Sequence, residues 1–311
     1  MYRTDLAMES TRLHAHHLPP GVTQQEETTG ALTVHTVTIT DTAAASLLDK
    51  PIGRYSTLCL PPFATSDTPE EEELNHMARL LGDFLPEQGT ILVVGLGNRD
   101  ITPDAIGPQT AHQVLATRHL VVPPPNGDCH GITANNSDHA ASQTQNALPP
   151  SLTGLRPTVV IAPGVLGQTG VEASEIIRAI AQTVKPAAII AVDALAAGDT
   201  ARLGNTIQIS NTGIAPGSGV QNRRKALNRN TLGAEVIAVG IPTVVDAQTL
   251  ARDLRRPGEQ PTEENTATAP LMITPRDIDV LISHGSRLLA LIINKALQPH
   301  LDWQEIQYLM S

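Results

Sequence analysis

The feature that most constrains the fold is an alternation of short apolar runs with amphipathic stretches across residues 90–239. The runs at 90–94, 158–162, 187–192, 206–209 and 236–239 have strand length. Residues 108–118 and 173–184 carry helical periodicity between them. Strands that alternate with helices predict a mostly parallel sheet covered on both faces, hence a single three-layer α/β domain. Ahead of this block, 33–40 and 54–60 read as strands and 42–48 as a short helix. The acidic run Glu70–Glu73 opens a helix whose body is 74–81, where negative charge in the first turn suits the helix dipole.

Residues 1–30 are polar and read as an N-terminal arm ahead of an α/β domain spanning 31–311. Within that domain, 124–157 is a long polar, Pro-bounded insertion, expected to be mobile, and 256–270 is a polar linker. A final helix is expected to open with Thr274 as N-cap and Pro275 in its first turn. Its packing face is formed by Ile278, Leu281, Ile282, Leu288, Leu289 and Ile292.

A chain of 311 residues can bury a full core. Its net charge of −10 argues against a phosphate-binding surface, and 2% aromatic residues argue against base stacking, so no direct nucleic-acid partner is expected. The two cysteines, Cys59 and Cys129, read as reduced thiols. The first ten residues lack the apolar stretch of a signal peptide, and no run reaches the ~18 apolar residues of a membrane span. The expectation is an intracellular protein with no membrane partner.

Asp104 and Asp193 each follow an apolar strand-like run. A carboxylate at the end of a buried strand is costly to desolvate unless it is paired, ligated or functional. Two of them on neighbouring strands suggest an acid/base pair. Asp104 also fits a helix N-cap in Thr102-Pro-Asp, and Asp193 also fits a structural hydrogen-bonding role. Gly95-Leu-Gly97-Asn98 after a strand resembles a dinucleotide fingerprint, but Asp100 stands where a third glycine belongs. The glycines are read instead as a tight turn. The loop Ser210–Val220, rich in Gly and hydroxyls, is suited to wrap an extended substrate or to present donors to an oxyanion. Gly97, Asn98, Gly217, Ser218 and Gly219 are therefore candidate substrate contacts. Arg223, Arg224 and Lys225 are either a solvated basic face or receivers for an acidic substrate side chain. The Gly-rich loop 163–170 is placed to line a cleft at the same sheet edge. Eleven histidines are present without an HExxH or paired-Cys pattern, so neither metal nor cofactor is expected.

Together these segments resemble the bacterial spore germination endopeptidases. The resemblance is carried by Gly95-Leu-Gly-Asn98, Thr102-Pro-Asp-Ala-Ile-Gly-Pro108, Thr117-Arg-His-Leu120 and Pro163-Gly-Val-Leu-Gly-Gln-Thr-Gly170. It continues through Val192-Asp-Ala-Leu-Ala-Ala197, Thr206-Ile-Gln-Ile-Ser210, Pro216-Gly-Ser-Gly-Val220 and Gly240-Ile-Pro-Thr-Val-Val-Asp246, in order over about 90–247. It implies an α/β fold related to hydrogenase-maturation endopeptidases and an atypical aspartic peptidase. It further implies Asp104 and Asp193 as the two catalytic residues, and small acid-soluble spore proteins as substrates in the spore core. A homotetramer and an inactive precursor that processes itself are also implied. Arg3-Thr-Asp-Leu-Ala-Met-Glu9 resembles both the family's self-cleavage region and its substrates' cleavage motif, which sets the expected cut at Asp5–Leu6 after a very short pro-segment. Two alternatives keep the fold: a metal-dependent endopeptidase of the hydrogenase-maturation type, and a non-catalytic spore-core binding protein.

Overall fold

The computed structural model describes residues 4–12, 18–65, 68–121, 154–215, 225–254 and 271–311. The first half of the chain runs α1 (Ala7–Arg12), β1 (Val22–Thr29), β2 (Leu32–Ile39), α2 (Thr42–Leu48), β3 (Gly53–Cys59), α3 (Glu71–Gly82), β4 (Ile91–Gly95), α4 (Ile106–Gln113) and α5 (Arg118–Val121). It continues through β5 (Thr158–Ile161), α6 (Leu166–Thr169), α7 (Ala173–Val184), β6 (Ala188–Ala197) and β7 (Thr206–Ser210). Then come α8 (Arg229–Leu232), β8 (Glu235–Asp246), α9 (Ala247–Asp253), β9 (Met272–Ile273), α10 (Ile278–Leu297) and α11 (Trp303–Leu309).

One sheet of nine strands runs through the described residues in the order β1-β2-β3-β7-β8-β6-β4-β5, with β9 on β8. Strands β5, β4, β6 and β8 are mutually parallel, and this is the expected α/β centre. An antiparallel wing, β7, β3, β2 and β1, extends it on one side. The central strands are apolar on both faces because both are covered. Val93, Ile190, Val192, Ile207 and Ile237 pack towards the largest core cluster, with residues of α3, α4 and α10. Leu92, Val94, Ile189, Ala191 and Val236 face the opposite layer, with α7 and α8. Helix α10 is long and apolar enough by length and composition to cross a bilayer, but its apolar residues lie in the core against α3 and α4.

Several boundaries differ from the sequence-based expectation. The helix expected over 108–118 starts at Ile106 and stops at Gln113. Asn294 of α10 ends it: its Nδ2 donates to the Gln113 carbonyl at 3.1 Å and its Oδ1 accepts from the Leu115 N–H at 2.9 Å. The helix expected to open at Thr274 and to be the final one is α10, which begins at Ile278 and is followed by α11. Residues 272–273 are held in a strand on β8, and the Thr274 hydroxyl donates to the Thr243 carbonyl, so it is not free to cap. Strand β6 does not stop before Asp193 but runs on to Ala197, because β8 continues to pair with it. Residues 22–29, read as part of a polar arm, form strand β1; most of it is exposed on both faces, which leaves no alternation to see. Most of the insertion 124–157 lies outside the described residues, as do Cys129 and the linker 256–270. The described end of the insertion is anchored: Leu155 is in the core, and the Arg156 guanidinium donates to the carbonyls of Pro86, Gln88 and Gly89.

Candidate active site

Strand β4 ends at Gly95, opposite Val192 of β6. The Leu96 N–H still donates to the Val192 carbonyl at 2.8 Å, and then the two chains part. Asp193, the next residue of β6, therefore sits at the carboxyl edge where its parallel neighbour stops. This is the edge where open α/β sheets place their ligand crevices. Asp193 is 5% exposed, and its Oδ1 accepts from the Ala194 N–H at 2.9 Å.

Asp104 reaches the same edge through a compact return of the chain. After Leu96 the backbone turns at Gly97, with φ of +112°, a region that glycine adopts and other residues avoid. A Cβ there would stand 2.1 Å from the Asp104 carbonyl oxygen. The 3-10 turn Thr102–Asp104 then packs against β6 and β8. Gly95 and Gly107 allow this: a Cβ on Gly107 would lie 2.2 Å from the Leu96 carbonyl oxygen and 2.5 Å from that of Val192. The buried Thr243 of β8 fixes the turn by donating from its hydroxyl to the Pro103 carbonyl at 2.8 Å. Asp104 does not cap α4, whose N-cap is Ala105. Its Oδ2 instead accepts from the Asn98 N–H at 2.7 Å. Two carboxyls thus share one sheet edge, both held by backbone donors.

The other predicted contacts divide. Gly97 and Asn98 belong to the Asp104 loop; the Asn98 Oδ1 accepts from Asp100 N–H at 3.0 Å and Gln168 Nε2 at 2.8 Å, which ties that loop to the 163–170 loop. Lys225 is exposed. Gly217, Ser218, Gly219, Arg223 and Arg224 lie outside the described residues. A cleft of about 500 Å³ opens on the β5 side of the aspartate loop, lined by Gly97, His112, Val160, Gly164 and Gln168 among others. Among the described residues, no group of three or more His, Cys, Asp or Glu side chains is placed to hold a metal ion.

The N-terminal segment is docked, not free. The Asp5 N–H donates to the Ala196 carbonyl at 2.9 Å, and Asp5 Oδ2 accepts from the Ala196 N–H at 2.8 Å. This occupies the edge of β6 that β4 leaves open. Leu6 is fully buried with Met8, Leu195, Ala197 and Val245. Glu9 is buried as well; its Oε2 accepts from the Gly198 N–H at 2.8 Å and from the Thr4 hydroxyl. Lys50 Nζ donates to the Thr4 carbonyl at 2.7 Å.

Burial pushes the Glu9 carboxyl above its ordinary 4.5; the Thr4 and Gly198 hydrogen bonds oppose the rise, Asp199 adds to it and Arg202 opposes it. Burial likewise lowers the Lys50 ammonium against the pull of Asp5, Asp49 and Glu9. A raised carboxyl means that docking favours the protonated acid. Its contribution is full below the ordinary value and is lost as pH rises through the raised one. Acidifying from about pH 7 to about pH 5 is therefore expected to slow amide hydrogen exchange in residues 4–9, and Glu9→Gln to flatten that dependence. Exchange that speeds up on acidification, after correction for the intrinsic rate, would contradict this.

The germination protease family matches residues 4–131 and 147–255, and the germination protease of Clostridium tetani is 37% identical over 98% of both chains. This chain belongs to the germination protease family. The germination protease of Caldanaerobacter subterraneus is 35% identical over 99% of this chain and 98% of its own. That of Bacillus subtilis is 38% identical over 81% of this chain and 66% of its own. Among solved structures, a NiFe hydrogenase maturation protease, HycI, of Thermococcus kodakarensis aligns with 69% of this chain and 98% of its own, at 16% identity and a TM-score of 0.35. Membership makes the chain a protease of spore germination. The family match skips residues 132–146, inside the segment read as an insertion.

Sequence reasoning did not single out Gln208, Thr243 or Lys50 as working residues. A signal was present for the first. Thr-Ile-Gln-Ile-Ser is a buried strand of β7, and a glutamine inside it must find partners for both ends of its amide.

Proposed function

We propose that this germination protease is the endopeptidase that starts the breakdown of small acid-soluble spore proteins in the spore core. In this reading Asp104 and Asp193 are an acid/base dyad, and the chain processes itself near Asp5–Leu6. The observation that carries it is the seating of the Thr102–Asp104 turn against β6 and β8, on the edge where Asp193 stands. Like charges at close quarters disfavour double ionisation, so one proton serves both carboxyls. The ionised member takes a proton from water, which attacks the scissile carbonyl. The protonated member gives its proton to the leaving amine. The pair titrates as a unit, so the two roles belong to the dyad and not to either residue.

The docked segment supports the self-processing reading, since the motif expected to be cut is held against Ala196 on β6, the strand that carries Asp193. We assign a homotetramer as the working assembly, with no cofactor. The test is incubation with a purified small acid-soluble spore protein, read by mass spectrometry. The expected result is limited cuts between an acidic residue and an apolar one followed by Ala-x-Glu. Binding without cleavage would favour the non-catalytic alternative, and cleavage abolished by chelation would favour a metal enzyme. Light scattering that returns a mass other than four chains would remove the tetramer.

A further inference from the structure

Gln208 holds one short peptide with both ends of its side chain. Its Nε2 donates to the Asp5 carbonyl at 2.9 Å, and its Oε1 accepts from the Ala7 N–H at 2.8 Å. The two contacts straddle the Asp5–Leu6 bond. Gln208 pairs with Gly240 of β8, and Gly240 pairs with Asp193 of β6, so the amide and the carboxyl stand in one cross-strand row on the same sheet face.

The contacts beyond the amide read side chains. Backbone N–H groups of Ala196 and Gly198 receive the carboxylates of Asp5 and Glu9, and Leu6 fills an apolar pocket between them. This is an odd way to build a core. Glu9 is buried, Asp5 and Lys50 near it are half-buried, and among the described residues Glu9 Oε1 has no hydrogen-bond partner. A buried, half-satisfied carboxylate weakens the hold of the segment. Such an arrangement fits a separable occupant better than a permanent one.

We infer that residues 4–9 fill a peptide-recognition cradle of Gln208, Ala196 and Gly198, which in trans takes a substrate segment patterned acidic, large apolar, small, any residue, acidic. Gln208 reads the main chain on both sides of the cleaved bond. The two backbone N–H groups read the acids, and the Leu195–Val245 pocket reads the apolar residue. That the trans occupant is the substrate rests on the function proposed above; the cradle itself does not.

The experiment measures binding without turnover, with Asp104→Asn in every protein. The probe is a fluorescein-labelled peptide Thr-Asp-Leu-Ala-Met-Glu-Ser-Thr, followed by anisotropy against the full chain. Leu6→Asp undocks the resident segment by placing a charge in its apolar pocket. Ala7→Pro does so independently by deleting the N–H that Gln208 accepts. Both undocked chains are expected to bind the probe about tenfold or more tightly than the docked chain. Adding Gln208→Ala, or the isosteric Gln208→Glu, is expected to weaken that binding about tenfold. A probe with Ala in place of its two acids, which leaves the Ala196 and Gly198 N–H groups without acceptors, binds more weakly. Equal binding to docked and undocked chains, or binding indifferent to both Gln208 variants, overturns the inference. Inactivity of the aspartate pair leaves these readouts untouched, whereas cleavage of spore protein without probe binding overturns the cradle alone.

Discussion

Asp193→Asn is expected to cut the rate of peptide cleavage by about 10²–10⁴-fold, the range that a positioned general acid or base supplies. The melting temperature is expected to hold or rise. Asparagine keeps the shape and the Oδ1 that accepts from the Ala194 N–H, so the local hydrogen bond survives. What disappears is the proton site. Activity on spore protein and thermal melting, measured together, separate the catalytic role from a structural one. A variant that melts early and loses activity in proportion would support a structural aspartate.

Gly107→Ala tests the scaffold. The added Cβ would meet the Leu96 and Val192 carbonyl oxygens and the Leu96 nitrogen, all backbone, at 2.2–2.6 Å. Backbone cannot swing aside as a side chain can, so α4 and the Thr102–Asp104 turn must lift from the strand ends. Overpacking of this kind costs about 1–3 kcal/mol. A displacement of the aspartate turn by about an ångström is expected to lower the rate about 100-fold. Gly167→Ala is the control, since a Cβ there meets nothing within 4 Å. Equal activity in the two variants would show that the Gly95–Gly107 contact does not set the site.

The parallel centre was legible because its strands are buried on both faces and read as continuous apolar runs, as in Ile189-Ile-Ala-Val192. Strand β1 was not, for the opposite reason: an edge strand of Thr, Gln and Glu with little burial carries no periodic signal. Helix ends were misplaced where a distant side chain decides them. Asn294 stops α4 from about 180 residues away along the chain, which no local rule sees. Asp104 and Asp193 could be named from their strand-end settings and the resemblance. Locally, Asp104 was ambiguous between a cap and a site residue. The fold removes the cap reading, since its carboxylate turns back to the Asn98 N–H and leaves α4 uncapped by a side chain. Gln208 was hidden because a polar residue in a strand announces only that it needs partners, not that they come from the N-terminus.

The most direct measurement is a double-mutant cycle on cleavage of a small acid-soluble spore protein, with Asp104→Asn, Asp193→Asn and the pair. Groups that share one proton act as a unit, so each single variant should lose nearly all the catalysis and the double variant little more. Losses that add in full, or a single variant that cleaves at the parent rate, would contradict the dyad.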